Sequence, residues 1–144
     1  MRAFAHPLLA IGFGAFILCA ETCNHFDDIV HPSHWYDLPL HDWSAGLFLV
    51  GAGIVTRRDA VTGRPWQAAA WAYMVSLLTG AFLAHWEARS VEPVTDDWLS
   101  PGVLLGIIGA LLTIGTSALL ATLLANRSSI ESREDGASGV SGNQ

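Results

Sequence analysis

Four apolar runs, residues 8–26, 38–56, 66–86 and 102–125, are separated by short polar stretches along the 144-residue chain. Each is close to the ~20 residues that a helix rising ~1.5 Å per residue needs to cross a hydrocarbon core of ~30 Å. Punctuation at the start of each run agrees, because Pro7, Pro39, Pro65 and Pro101 fall where a first helical turn is expected. A first turn has no internal acceptor for its N–H groups, so proline is tolerated there and supplies a φ already set for the helix. Asp37 and Ser100 carry side chains suited to capping the second and fourth starts. The pattern predicts an all-α, integral membrane four-helix bundle over residues 1–125. Residues 126–144, NRSSIESREDGASGVSGNQ, offer almost nothing apolar to offset the entropy of ordering, which predicts a disordered tail.

Composition sharpens the picture: 51 % of residues are hydrophobic and 14 % charged, roughly half the charged share of a soluble domain. A water-soluble fold would have to bury four apolar stripes with little polar surface left to cover them. A first segment removed as a signal peptide fits poorly, since a cut after Ala20 would leave Leu18 where a small residue is required.

The charges are unevenly placed. Arg2, Arg57, Arg58, Arg64, Arg127 and Arg133 belong to one side of the predicted bundle and Arg89 alone to the other, so both termini are expected in the cytoplasm. Nine of the thirteen acids lie on the outer side: Glu21, Asp27, Asp28, Asp37, Asp42, Glu87, Glu92, Asp96 and Asp97. Trp35, Trp43, Trp86 and Trp98 fall near the outer boundary and Trp66 near the inner one, where an amphipathic indole is best placed. Arginine without any lysine, amid abundant Ala, Gly and Leu, suggests GC-rich bacterial coding and hence a bacterial inner membrane. A net charge of −6 gives no basic face for nucleic acid.

Small residues predict how the helices meet, because close backbone approach drives helix association in lipid. The third run carries Ala68, Ala72, Ser76, Gly80 and Ala84 at every fourth position. The fourth carries Gly109, Thr113, Ser117, Ala121 and Ala125, preceded by Gly102 and Gly106. These ribbons predict an antiparallel pair of runs three and four, in which leucine at Gly80 or Gly109 would force the helices apart; otherwise they face a second copy or another subunit.

Candidate chemistry gathers at the outer end. Glu21 lies inside the first run, where an acid needs a partner, a proton or a wet cavity, and His25 falls on the same helical face one turn later. His41 and Asp42 near the start of the second run, and His85 and Glu87 at the end of the third, share that level. Glu21, His25, His41 and His85 have the composition of a site for a transition metal (Zn, Fe or Cu). His41 and His85 are also the candidate axial ligands for haem, and the same region could hold a quinone head. His31 and His34 in the wet loop DDIVHPSHWYD read as solvated residues. Cys19 and Cys23 lie opposite Glu21 on the first helix and read as small packed hydrophobes rather than ligands or a disulfide. No nucleophile paired with a base, no phosphate-cradling glycine loop and no HExxH is present, so hydrolase and ATPase readings lack support. Two functions stay open: an accessory or structural subunit of a larger membrane complex, and a small module binding a metal, haem or quinone.

Overall fold

The computed structural model describes residues 6–30, 39–88 and 100–140, with side chains described as far as Ser128 apart from Asp28. His31, His34, Asp37, Asp96, Asp97, Glu92, Arg2, Arg89, Trp35 and Trp98 lie outside the described residues. Four long helices and one short one make up the described chain: α1 (Pro7–Asn24), α2 (Phe26–Val30), α3 (Leu40–Arg58), α4 (Ala60–Ala88) and α5 (Pro101–Val140). There is no strand among the described residues.

Local chemistry explains most of the boundaries. Pro7 and Pro101 are the first residues of α1 and α5, and the His6 imidazole caps α1 by accepting from the Leu8 N–H through Nδ1 at 3.3 Å. Pro39 is the N-cap of α3 rather than a member of its first turn. Pro65 departs from expectation further, for it lies inside α4, which starts at Ala60. Asp59 is the physical reason. Its carboxylate accepts from the Val61 N–H at 3.0 Å and its carbonyl from the Gly63 N–H at 2.9 Å, so a helix begins a full turn before the proline. The same residue closes α3 through its own N–H to the Val55 carbonyl at 2.8 Å, so a single residue separates the two helices. At the far end α5 continues past Ala125, into the stretch expected to be disordered. Residues 126–135 contain neither glycine nor proline, so nothing there interrupts the hydrogen-bond ladder.

Each long helix packs antiparallel against the next in the chain, α1 on α3, α3 on α4 and α4 on α5, with a slighter contact between α1 and α4. Three of them, Pro7–Asn24, Ala60–Ala88 and the Pro101–Ser128 part of α5, are long and apolar enough to cross a membrane. The fourth expected crossing, α3, does not reach that standard by composition. It has 19 residues, so any 18-residue window includes both Asp42 and Arg57. The core centres on Trp71, fully buried, with Phe13 and Ile17 of α1, Leu49 of α3 and Met74 and Leu78 of α4 around it. Phe13 meets Trp71 edge-on, ring centroids 5.2 Å apart, within the slight contact between α1 and α4.

The tightest seam lies between α1 and α3. A Cβ on Gly14 would meet the Gly46 carbonyl oxygen at 2.6 Å, and one on Gly53 would meet the Pro7 carbonyl oxygen at 2.8 Å. Backbone therefore touches backbone along two turns of α3. Runs three and four do form the expected antiparallel pair, but not through both ribbons. Of the α4 ribbon only Ala68 is buried, while Ala72, Ser76, Gly80 and Ala84 face outward. In its place α4 presents bulk to α5: Trp71, Val75 and Leu78 surround Gly115, and Phe82 covers Gly109. Arg64 adds a polar clip, donating from Nη1 to the Ala125 carbonyl at 3.2 Å.

Candidate functional site

The end of the molecule formed by the C-terminus of α1, the N-terminus of α3 and the C-terminus of α4 carries the residues singled out from the sequence. Glu21 and His25 are brought together: Nε2 and Oε2 are 3.8 Å apart, and both side chains are about a quarter exposed. His25 is also the C-cap of α1, donating its backbone N–H to the Glu21 carbonyl at 3.0 Å. Asp42, in the first turn of α3, is the other charge acting on Glu21. The α1–α3 seam thus delivers two acids and one imidazole to the same corner.

His41 and His85 do not join them. Both are exposed, and among the described residues no group of three or more His, Cys, Asp or Glu side chains is placed to hold a metal ion. The reason is angular. Neighbours on a helix differ by about 100°, so with Asp42 turned to α1 the adjacent His41 is carried away from it. His85 lies in the last turn of α4, a helix that makes only a slight contact with α1. A shared height along the bundle did not become convergence, and the four residues do not fit a metal centre. The corner thus holds the intrahelical Glu21–His25 pair with Asp42 beside it, and near it the Ser44 hydroxyl lies 3.0 Å from the Tyr73 hydroxyl and ties α3 to α4.

The thiols differ from expectation too. Cys19 and Cys23 are free and exposed on the outer surface of α1 rather than packed inside, because the face of α1 turned to α3 is occupied by Ala10, Gly14, Ile17 and Leu18.

Two polar features escaped the sequence reading. Gln67 and Trp71, one turn apart on α4, are both fully buried, and the Trp71 indole N–H has no acceptor among the described residues. Their helical spacing was visible, but neither is charged and the run looked uniformly apolar. At the opposite end, His6, Pro7, Leu8, Thr56, Arg57, Ala60 and Arg64 line a cleft of about 480 Å³. Arg57 and Arg64 flank the α3–α4 joint, and folding brings His6, at the start of α1, beside them.

Comparison with known proteins returns no matching family model, no matching curated protein and no matching solved structure.

Proposed function

We propose that this chain is a four-span integral membrane protein of a bacterial inner membrane, with both termini cytoplasmic, serving as an accessory or structural subunit of a larger membrane complex. Support for the span count comes from α3. Its backbone lies directly on α1 from Gly46 to Gly53, and it exposes Leu47 and Ile54 outward, so an α1 embedded in lipid carries α3 with it. The proposed orientation is supported by Arg57, Arg58, Arg64 and Arg127 at one end against Glu21, Asp27, Asp42 and Glu87 at the other.

The observation that carries the subunit role is the outward face of α4. Ala72, Ser76, Gly80 and Ala84 form a smooth strip on the surface, and a side chain at Gly80 would meet nothing within 4 Å. A strip that accepts a second backbone closely, left uncovered by this chain's own helices, suits a transmembrane helix of a partner subunit.

Native electrophoresis of mildly solubilised source membranes tests the reading. The chain should migrate well above its 15.4 kDa, and Gly80→Leu should release it as a monomer with an unchanged melting temperature. A monomer in wild-type membranes, or an assembly built only of copies of this chain, overturns the heteromeric role. For orientation, in a background lacking Cys19 and Cys23, Val94→Cys should react with an impermeant thiol reagent from outside and Ser138→Cys should not.

A further inference from the structure

We infer that the cleft at the arginine end is a binding site for a phosphate-bearing anion, the headgroup of an anionic membrane lipid. The site is assembled from the N-terminus of α1, the C-terminus of α3 and the N-terminus of α4, and its lining carries three basic side chains, His6, Arg57 and Arg64, and no acid. Asp59 is the nearest acid in sequence, but its carboxylate turns to the Val61 N–H and Thr62 at the start of α4 and does not line the cleft. Arg57 has no ion-pair partner among the described residues. Arg64 is oriented by its bond to the Ala125 carbonyl; a guanidinium carries five N–H donors in a fork that matches a phosphate, so it can serve Ala125 and an anion at once. His6 accepts through Nδ1 from Leu8, which puts its ring proton on Nε2 as a third donor.

Size and lining favour a lipid over a free ion. A cleft of about 480 Å³ is far larger than one phosphate and falls within the range of small-molecule sites. Pro7 and Leu8 give it an apolar flank, suited to the glycerol and the first methylenes of an acyl chain. Basic pockets between transmembrane helices on the cytoplasmic side are the usual place for anionic headgroups, and this cleft lies at the end assigned to the cytoplasm. The lipid source, though not the anion chemistry, rests on the membrane reading above.

Native mass spectrometry of the full chain in detergent, titrated separately with phosphatidylglycerol, phosphatidylcholine and inorganic phosphate, tests the inference. Phosphatidylglycerol should be retained as one adduct per chain, and Arg57→Gln with Arg64→Lys, which removes one cation and one guanidinium fork, should weaken it by roughly fivefold, toward the level of phosphatidylcholine. Arg64→Lys keeps a donor for Ala125, and thermal unfolding checks that the double variant folds. Arg58→Gln and Arg127→Gln remove the same charge at the same end outside the lining and should leave the adduct unchanged. Equal loss with the control substitutions, or none with Arg57→Gln and Arg64→Lys, overturns the site. Retention of inorganic phosphate as tight as that of phosphatidylglycerol overturns the lipid assignment. The membrane reading fails separately, if the chain stays soluble without detergent.

Discussion

The α1–α3 and α4–α5 interfaces are both antiparallel helix pairs rich in glycine and alanine, yet they are built in opposite ways. Between α1 and α3 the glycines face each other, with Gly14 against Gly46 and Gly53 against Pro7, and backbones come into contact. Between α4 and α5 the bulk of Trp71, Val75, Leu78 and Phe82 fills the gap, while most of the α4 small residues look outward. A ribbon of small residues therefore marks a face able to pack closely without saying what packs there. Burial decides, and it separates a structural seam from a surface kept smooth for something else.

The same substitution made on both faces should separate the two kinds of interface. Leucine at Gly14 has to displace the Gly46 carbonyl and the Leu49 side chain, which are backbone and core rather than a flexible tip. Overpacking of that kind costs ~1 to 3 kcal/mol, and the rigid neighbour puts Gly14→Leu near the upper end. Its melting temperature and folded yield in detergent should fall steeply, while Gly80→Leu should unfold like the wild type. Equal losses for the two variants would mean that α4 does not present Gly80 outward.

A smaller effect is expected at Gly109, where the sequence had suggested separation of the helices. The nearest atoms to a new Cβ there belong to the Phe82 ring, at 3.4 Å, which is ordinary contact with a side chain able to move. Gly109→Leu should cost under about 1 kcal/mol, and a thermal shift as large as that of Gly14→Leu would show that the α4–α5 interface is as rigid as the first.

Why the sequence revealed one interface and not the other follows from what a pattern encodes. The all-helical character, the number of long helices and the gathering of arginines and acids at opposite ends were legible, because run length and charge placement are properties of one segment at a time, whereas the start of α4 and the end of α5 were not. The Glu21–His25 pair was legible for the same reason, since one turn of one helix separates them. His41 and His85 share with that pair only their height along the bundle, which is all that their positions in the sequence encode. Rotation of α3 about its axis, which turns Asp42 and not His41 to α1, depends on the Gly14–Gly46 contact and could not be read from α3 by itself. Pro65 misled for a local reason: proline marks a favoured start, but Asp59 supplies a stronger one six residues earlier. Arg57 and Arg64 were already neighbours across the α3–α4 joint, but the cleft was illegible because it also needs His6, Pro7 and Leu8, about fifty residues away in sequence, which only the α1–α3 packing brings to them.

The least disruptive test addresses the corner that joins the two regions, Asp59 between α3 and α4. The Thr62 hydroxyl, the Val61 N–H and the Thr62 N–H hold its carboxyl below the usual carboxylate range. A group whose native value is depressed contributes its stabilisation fully above the unfolded value, about 4 for aspartate, and loses it as pH falls through the lower native value. Because Asp59 is fully exposed, the effect belongs to the first turn of α4 rather than to the whole fold. Hydrogen exchange at the Val61 and Thr62 amides should therefore accelerate in the wild type as pH is lowered from about 5 to about 2, after correction for the intrinsic rate. Asp59→Asn keeps an oxygen able to cap but has no charge to lose, so its protection should be lower at about pH 5 and nearly flat with acid. Asp59→Ala should remove the protection throughout. Wild-type protection that does not change with acid, or an Asn variant that titrates like the wild type, would show that the helix start at Ala60 is held by the α3–α4 packing at Thr56 and Gly63 and not by this carboxylate.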